Sequence, residues 1–118
     1  MSKSIIKEVG PLVPSFEAEK VVILFGPSAP AELREISVIH EQEEVADDFI
    51  QEGVKFIVGN KEYTVTAVGS AANANFKELG HISIYFQEPD GDILPGAVFV
   101  SPSEFPVFNE GEEIKFTK

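Results

Sequence analysis

Gly59-Asn60-Lys61-Glu62-Tyr63-Thr64-Val65-Thr66-Ala67-Val68 (GNKEYTVTAV) is the stretch that decides the fold. Its first three residues are a turn signal. The residues after them alternate: Tyr63, Val65 and Ala67 are apolar, and threonines stand between them. Period-two alternation rich in β-branched and aromatic residues makes a strand with one packed face and one partly solvated face. Val54 to Val58 lies on the other side of the turn, so the two runs read as a β-hairpin.

Outward from this hairpin the same pattern recurs. Ser4 to Val9, Lys20 to Phe25 and Glu35 to His40 read as strands before it, and His81 to Gln87, Ala97 to Ser101 and Glu112 to Thr117 as strands after it. Pro89-Asp90-Gly91 and Asn109-Glu110-Gly111 supply later turns. Seven or eight short strands in 118 residues imply an all-β single domain, residues 1–118, built as a sandwich or a closed barrel. Two short helical pieces interrupt the strands. One is a turn at Ala29 to Arg34 with Pro30 near its start. The other is a helix from Ser70 to Leu79, with Ser70 as N-cap and Gly80 as stop. The acidic segment Glu41 to Glu52 reads as an exposed loop, with a short helix around Asp47 to Gln51.

Composition narrows the function. There is no cysteine, hence no disulfide framework, zinc knuckle or thiol nucleophile. MSKSIIKEVG has no apolar core of the kind a secretory signal needs, and no run approaches the roughly twenty apolar residues of a membrane span. A formal charge of −11 argues against nucleic acid, which is bound by Lys and Arg replacing counterions. It suits a partner with a basic face.

Three places are candidates for chemistry. In Ser37-Val38-Ile39-His40-Glu41-Gln42-Glu43-Glu44, His40 ends an apolar run and is followed by acids. On a strand Ile36, Val38 and His40 share one face and Glu41 the other, so the adjacent carboxylate points away from the ring. That arrangement keeps an imidazole neutral and nucleophilic near pH 7. Taken by itself, though, such a histidine reads as the polar residue that ends a strand at the surface. His81 follows a helix stop, where the macrodipole alone favours it. Gly69-Ser70 leads a strand into a helix N-terminus, whose free N–H groups can receive an anion; a glycine there also simply turns the corner. The two histidines stand 41 residues apart without local ligand spacing, so a metal site of both histidines and a carboxylate is the weakest reading.

Longer stretches add a family likeness. Gly26-Pro27-Ser28-Ala29-Pro30-Ala31-Glu32-Leu33, followed by Ile39-His40, resembles the "GAPxxL … IH" stretch of the glucitol/sorbitol-specific enzyme IIA family. Tyr63 to Ser70, Asn75-Phe76 and Glu78-Leu79-Gly80-His81-Ile82 resemble that family's "VTAVGxxAxxNLxELGH" block, with Phe76 where leucine is usual. The resemblance implies a cytoplasmic, β-barrel phosphocarrier of the bacterial phosphoenolpyruvate-dependent sugar phosphotransferase system. It would accept a phosphoryl group from HPr on His40 and pass it to the IIB component of a sorbitol permease. The resemblance implies no cofactor and no metal. His81 would orient the His40 ring or contact the phosphoryl group, and Gly69 and Ser70 would lend N–H donors to the same anion. The alternative is a small β-barrel binding module whose histidines are structural. Phe105 and Phe108 fit a homodimer contact as readily as a core.

Overall fold

Eight strands close into a barrel whose wall runs β1-β3-β2-β6-β7-β5-β4-β8 and returns to β1 in a computed structural model that describes residues 1–89 and 91–118. The strands are β1 (Ser2–Val9), β2 (Val21–Phe25), β3 (Ser37–Glu44), β4 (Lys55–Val58), β5 (Lys61–Val68), β6 (Ile82–Tyr85), β7 (Ala97–Ser101) and β8 (Glu113–Thr117). Two helices accompany them, α1 (Ala31–Arg34) and α2 (Ala72–Leu79). All eight expected strands are present, and closure selects the barrel over the sandwich. The expected turn at Pro89-Asp90-Gly91 has its centre at Asp90, outside the described residues. Most neighbours are antiparallel, but β2 pairs with β3 and β6 with β7 in parallel. No helix among the described residues is long and apolar enough to cross a membrane.

The deciding hairpin forms as read. Val58 pairs with Lys61, so its connection is one residue shorter than expected. Tyr63, Val65 and Ala67 are buried while Glu62 and Thr64 are exposed. The alternation nevertheless changes phase. A bulge between Val65 and Ala67 shifts the β5–β7 register. Beyond it Ala67 packs with Ala97 and Phe99 in a cluster apart, while Val68 packs against the main core.

That main core is aromatic. Phe56 is fully buried, with the rings of Tyr63, Phe86 and Phe116 at centroid distances of 6.0, 6.4 and 5.0 Å. Phe116 meets Phe76 of α2 edge-on at 5.5 Å, which seats the helix against the barrel interior. Phe108 is buried in this core and Phe105 packs against it, so both phenylalanines left open between core and dimer contact serve the core.

Several local readings are corrected. The acidic run does not leave the sheet at His40: β3 continues through Glu44, because β1 begins at Ser2 and pairs with it (Ser4 with Gln42, Lys3 with Glu44). Lys3 makes ion pairs with Glu43 at 3.6 Å and Glu113 at 3.1 Å, so the acids on the outer face are partly offset. Asp47 and Asp48 form a turn rather than a helix. Helix α2 starts at Ala72 with Ala71 in the cap position and no side-chain cap bond, so Ser70 is not its N-cap. His81 precedes β6 instead of opening it, because its N–H bonds back to the Asn75 carbonyl in the helix cap. A 3-10 helix at Val13–Glu19, with Pro14 at its start, occupies a stretch without clear periodicity.

Candidate functional site

His40 lies on the inward face of β3 beside Val38, and the ring is 0% exposed. The surface-terminating reading of this histidine is thereby overturned. Its place follows from the pleat: Val38 and His40 point into the barrel, while Glu41 on the opposite face is exposed. The adjacent carboxylate is directed away from the imidazole, as alternation required. Phe76 of α2 stacks on the ring at 5.5 Å with a 16° interplanar angle.

Both ring nitrogens are engaged. Nδ1 is 2.8 Å from Ser4 Oγ, and Nε2 is 2.7 Å from the Gly80 carbonyl oxygen. A carbonyl only accepts, so Nε2 carries the hydrogen and donates it. Nδ1 in the neutral ring is then an acceptor and takes the Ser4 hydroxyl hydrogen. Ser4 reaches it diagonally across the β1–β3 ladder, where Ser4 opposes Gln42 and Ile6 opposes His40. Burial pushes the His40 pKa below its ordinary value, and the Gly80 hydrogen bond offsets part of that. Burial thus favours the neutral ring at pH 7.

The end of α2 covers this ring. Gly80 adopts the left-handed conformation, φ 68°, and its N–H satisfies carbonyls of the last turn. The conformation and the space both demand glycine: a Cβ would lie 3.0 Å from His40 Nε2 and 2.9 Å from the Gly26 nitrogen. Gly26 clasps the same segment, its N–H donating to the Leu79 carbonyl at 2.8 Å. Over His40 runs the strap Leu79-Gly80-His81, in which Leu79 is 44% exposed, His81 is half-buried and Gly80 is buried between the His40 ring and Gly26. On the inner side Gln42 Nε2 donates to the Phe76 carbonyl at 2.7 Å, and the Asn73 amide bonds both N–H and C=O of Ile50. Side chains of β3 thus satisfy two carbonyls at the end of α2, Gln42 that of Phe76 and His40 that of Gly80.

His81 is half-buried and stacks on Phe25 with centroids 4.3 Å apart. Burial lowers its pKa as well. It ends the strap, yet the His40 ring is oriented by Ser4 and Gly80, not by His81. Gly69 and Ser70 are placed elsewhere. They precede α2, whose opposite end covers His40, and the helix is about 12 Å long at 1.5 Å per residue. The Gly69 N–H donates to the Ala97 carbonyl and the Ala71 N–H to that of Pro95. A Cβ at Gly69 would sit 2.1 Å from the Leu94 carbonyl oxygen, so this glycine permits a close corner. No local motif marks Ser4; its one signal in the sequence is the inward parity it shares with Ile6 on β1. Among the described residues, no three His, Asp or Glu side chains are grouped so as to hold a metal ion.

The buried histidine gives the fold a pH dependence. A folded pKa below the unfolded value of about 6.5 means the unfolded chain binds more protons under that pH. The stabilisation is complete above about pH 6.5 and is lost as pH falls below it. Glu113, held low by Lys3 and Lys115, acts only in the carboxylate range. We expect the urea midpoint to drop between about pH 7 and 5.5, and to drop less in His40→Gln. Equal slopes in the two proteins would place the effect elsewhere.

The chain as a whole has counterparts. A family model described as the PTS system glucitol/sorbitol-specific IIA component matches residues 1–115. The glucitol/sorbitol-specific EIIA component of Shigella flexneri is 32% identical over 111 residues, covering 94% of this chain and 89% of that protein. Its counterpart in Escherichia coli K12 is 34% identical over 99 residues, covering 84% of this chain and 80% of the other. A crystal structure of a PTS system IIA component from Enterococcus faecalis V583 superposes with a TM-score of 0.92 at 28% identity, covering 98% of this chain and 99% of that one.

Proposed function

The chain belongs to the glucitol/sorbitol-specific IIA family of the sugar phosphotransferase system, and from that premise we propose that it is a phosphocarrier acting through His40. In this reading it takes a phosphoryl group from phospho-HPr and hands it to the IIB component of a sorbitol permease in the cytoplasm. The observation that carries the reading is the setting of the ring: buried so that its pKa is lowered, free of carboxylate contact among the described residues, and fixed at both nitrogens. A protonated imidazole has no lone pair with which to attack phosphorus, so a lowered pKa favours the nucleophile at pH 7.

Transfer needs little else. The donor's N–P bond breaks with its electron pair returning to the donor nitrogen, while a His40 nitrogen forms the new N–P bond. Such in-line exchange depends on positioning and charge stabilisation. The strap Leu79-Gly80-His81 must lift for the buried ring to meet a donor. Once it does, His81 flanks the arriving group and can contact its oxygens. This reading gives Gly69 and Ser70 no role in the step, since they stand at the opposite end of α2 and the Gly69 and Ala71 N–H groups bond the Ala97 and Pro95 carbonyls. Exposed Leu79 and the partly buried Leu33 give apolar surface near the strap for successive partners.

One observation favours a second reading. His40 is wholly buried and its ring caps α2, which is what a purely structural histidine in a binding module would do. Incubation with enzyme I, HPr and radiolabelled phosphoenolpyruvate separates the two. The carrier incorporates phosphate in an acid-labile, base-stable form. A chain that stays unlabelled while HPr is labelled is the structural module.

A further inference from the structure

We propose that Ser4 is a positioning residue for the transfer, holding His40 Nδ1 whether that nitrogen lacks or carries the ring proton, so that Nε2 becomes the attacking atom. The inference rests on the reading of His40 as phosphoryl carrier. Three observations lead to it.

First, the resting ring carries its proton on Nε2, since the Gly80 carbonyl accepts from it. Second, Nε2 is the nitrogen on the side that can open. It faces the strap Leu79-Gly80-His81, whose flanking residues are exposed Leu79 and half-buried His81 and whose buried Gly80 is backed by Gly26, whereas Nδ1 faces the barrel wall. There Ser4 is 1% exposed on β1, hydrogen-bonded between β3 and β8. The resting proton therefore sits on the nitrogen that must attack. Third, the group behind Nδ1 is a hydroxyl, which donates one hydrogen and accepts at its lone pairs. A carboxylate in that place would only accept and would raise the ring's pKa; a backbone N–H would only donate.

The sequence of events balances. With the strap lifted, the Nε2 proton leaves to water and a proton is taken up at Nδ1, where Ser4 Oγ now accepts it. The freed Nε2 pair attacks phosphorus of the donor phosphohistidine, and the donor N–P bond breaks with its pair returning to the donor nitrogen. His40 ends phosphorylated on Nε2 with Nδ1–H still bonded to Ser4. Return of the group to an acceptor runs the same steps backwards.

The test uses the whole chain labelled with 15N-histidine, before and after phosphorylation by enzyme I, HPr and phosphoenolpyruvate. Long-range 1H–15N spectra should show the proton on Nε2 at rest, and phosphate on Nε2 with a protonated, exchange-protected Nδ1 afterwards. Ser4→Ala should slow labelling by about tenfold at a temperature where it remains folded, the weight of one buried hydrogen bond, while the unsatisfied Nδ1 lowers its melting temperature. Ser4→Thr, which keeps the hydroxyl, should recover most of the rate. A resting proton on Nδ1, phosphate on Nδ1, or Ser4→Ala labelled at the wild-type rate overturns the inference. Label persisting in His40→Gln overturns the carrier reading beneath it, whereas label at His40 with an indifferent Ser4→Ala overturns this inference alone.

Discussion

His40→Gln is expected to take up no measurable phosphate, a loss of at least about a thousandfold, while remaining folded. Glutamine suits this position because its amide reproduces the ring's hydrogen bonds. The NH2 group can donate to the Gly80 carbonyl and the amide oxygen can accept from Ser4, so neither buried partner is orphaned. Alanine would remove the nucleophile too, but it would also open space beneath Phe76 and strand the Gly80 carbonyl. Loss of label in Gln without loss of structure isolates the chemistry from the cap. His81→Gln should only slow the transfer, since that ring stacks on Phe25 and makes neither of the bonds that orient His40. The opposite pattern, with label kept in His40→Gln and lost in His81→Gln, would move the site to the more accessible histidine.

The largest stability effect is expected at Phe56→Ala, which should cost about 3–5 kcal/mol. The ring is 0% exposed and touches three other aromatic rings from β5, β8 and the segment after β6. Phe116 then leans on Phe76, so the barrel interior is one continuous aromatic stack that ends under His40. Close-packed neighbours relax only partly into such a hole. Against a total stability of roughly 5–15 kcal/mol for a domain, this loss leaves a marginal fold. The measurement is a urea midpoint at fixed m-value. A cost below about 1 kcal/mol would mean the barrel collapses around the gap and the stack is not a unit.

Much of this was written in period-two patterning. The hairpin at Gly59, the inward face of β3 and the parity of His40 against Glu41 all follow from alternation, and so does the number of strands. What alternation cannot carry is the identity of partners across the sheet. Ser4 is 36 residues from His40 and Gly80 is 40 residues away, and they meet it only because β1 pairs with β3 and α2 closes over both. The phase change at the β5 bulge has no local signal either, since Val65-Thr66-Ala67 continues to alternate through it. The acidic run misled for the same reason. Its charge reads as solvent exposure, which is true of Glu41, Glu43 and Glu44 one by one, yet their backbone belongs to a strand whose partner lies at the start of the chain. Ser70 looked like a helix cap, but the N–H groups next to it are taken by carbonyls at Pro95 and Ala97.

Closure of the wall has a consequence for recognition. A sheet with a free margin can take on a stranger by adding its strand, a mode that reads backbone more than side chains. Here, among the described residues, the wall has no end strand: every strand has a paired neighbour on each side, β1 by β3 and β8 at the seam. Whatever docks must therefore read the shape and charge of side chains. Selectivity between a giver and a taker of the same cargo then rests on a few surface residues rather than on a shared backbone template, and can be altered without disturbing the barrel beneath.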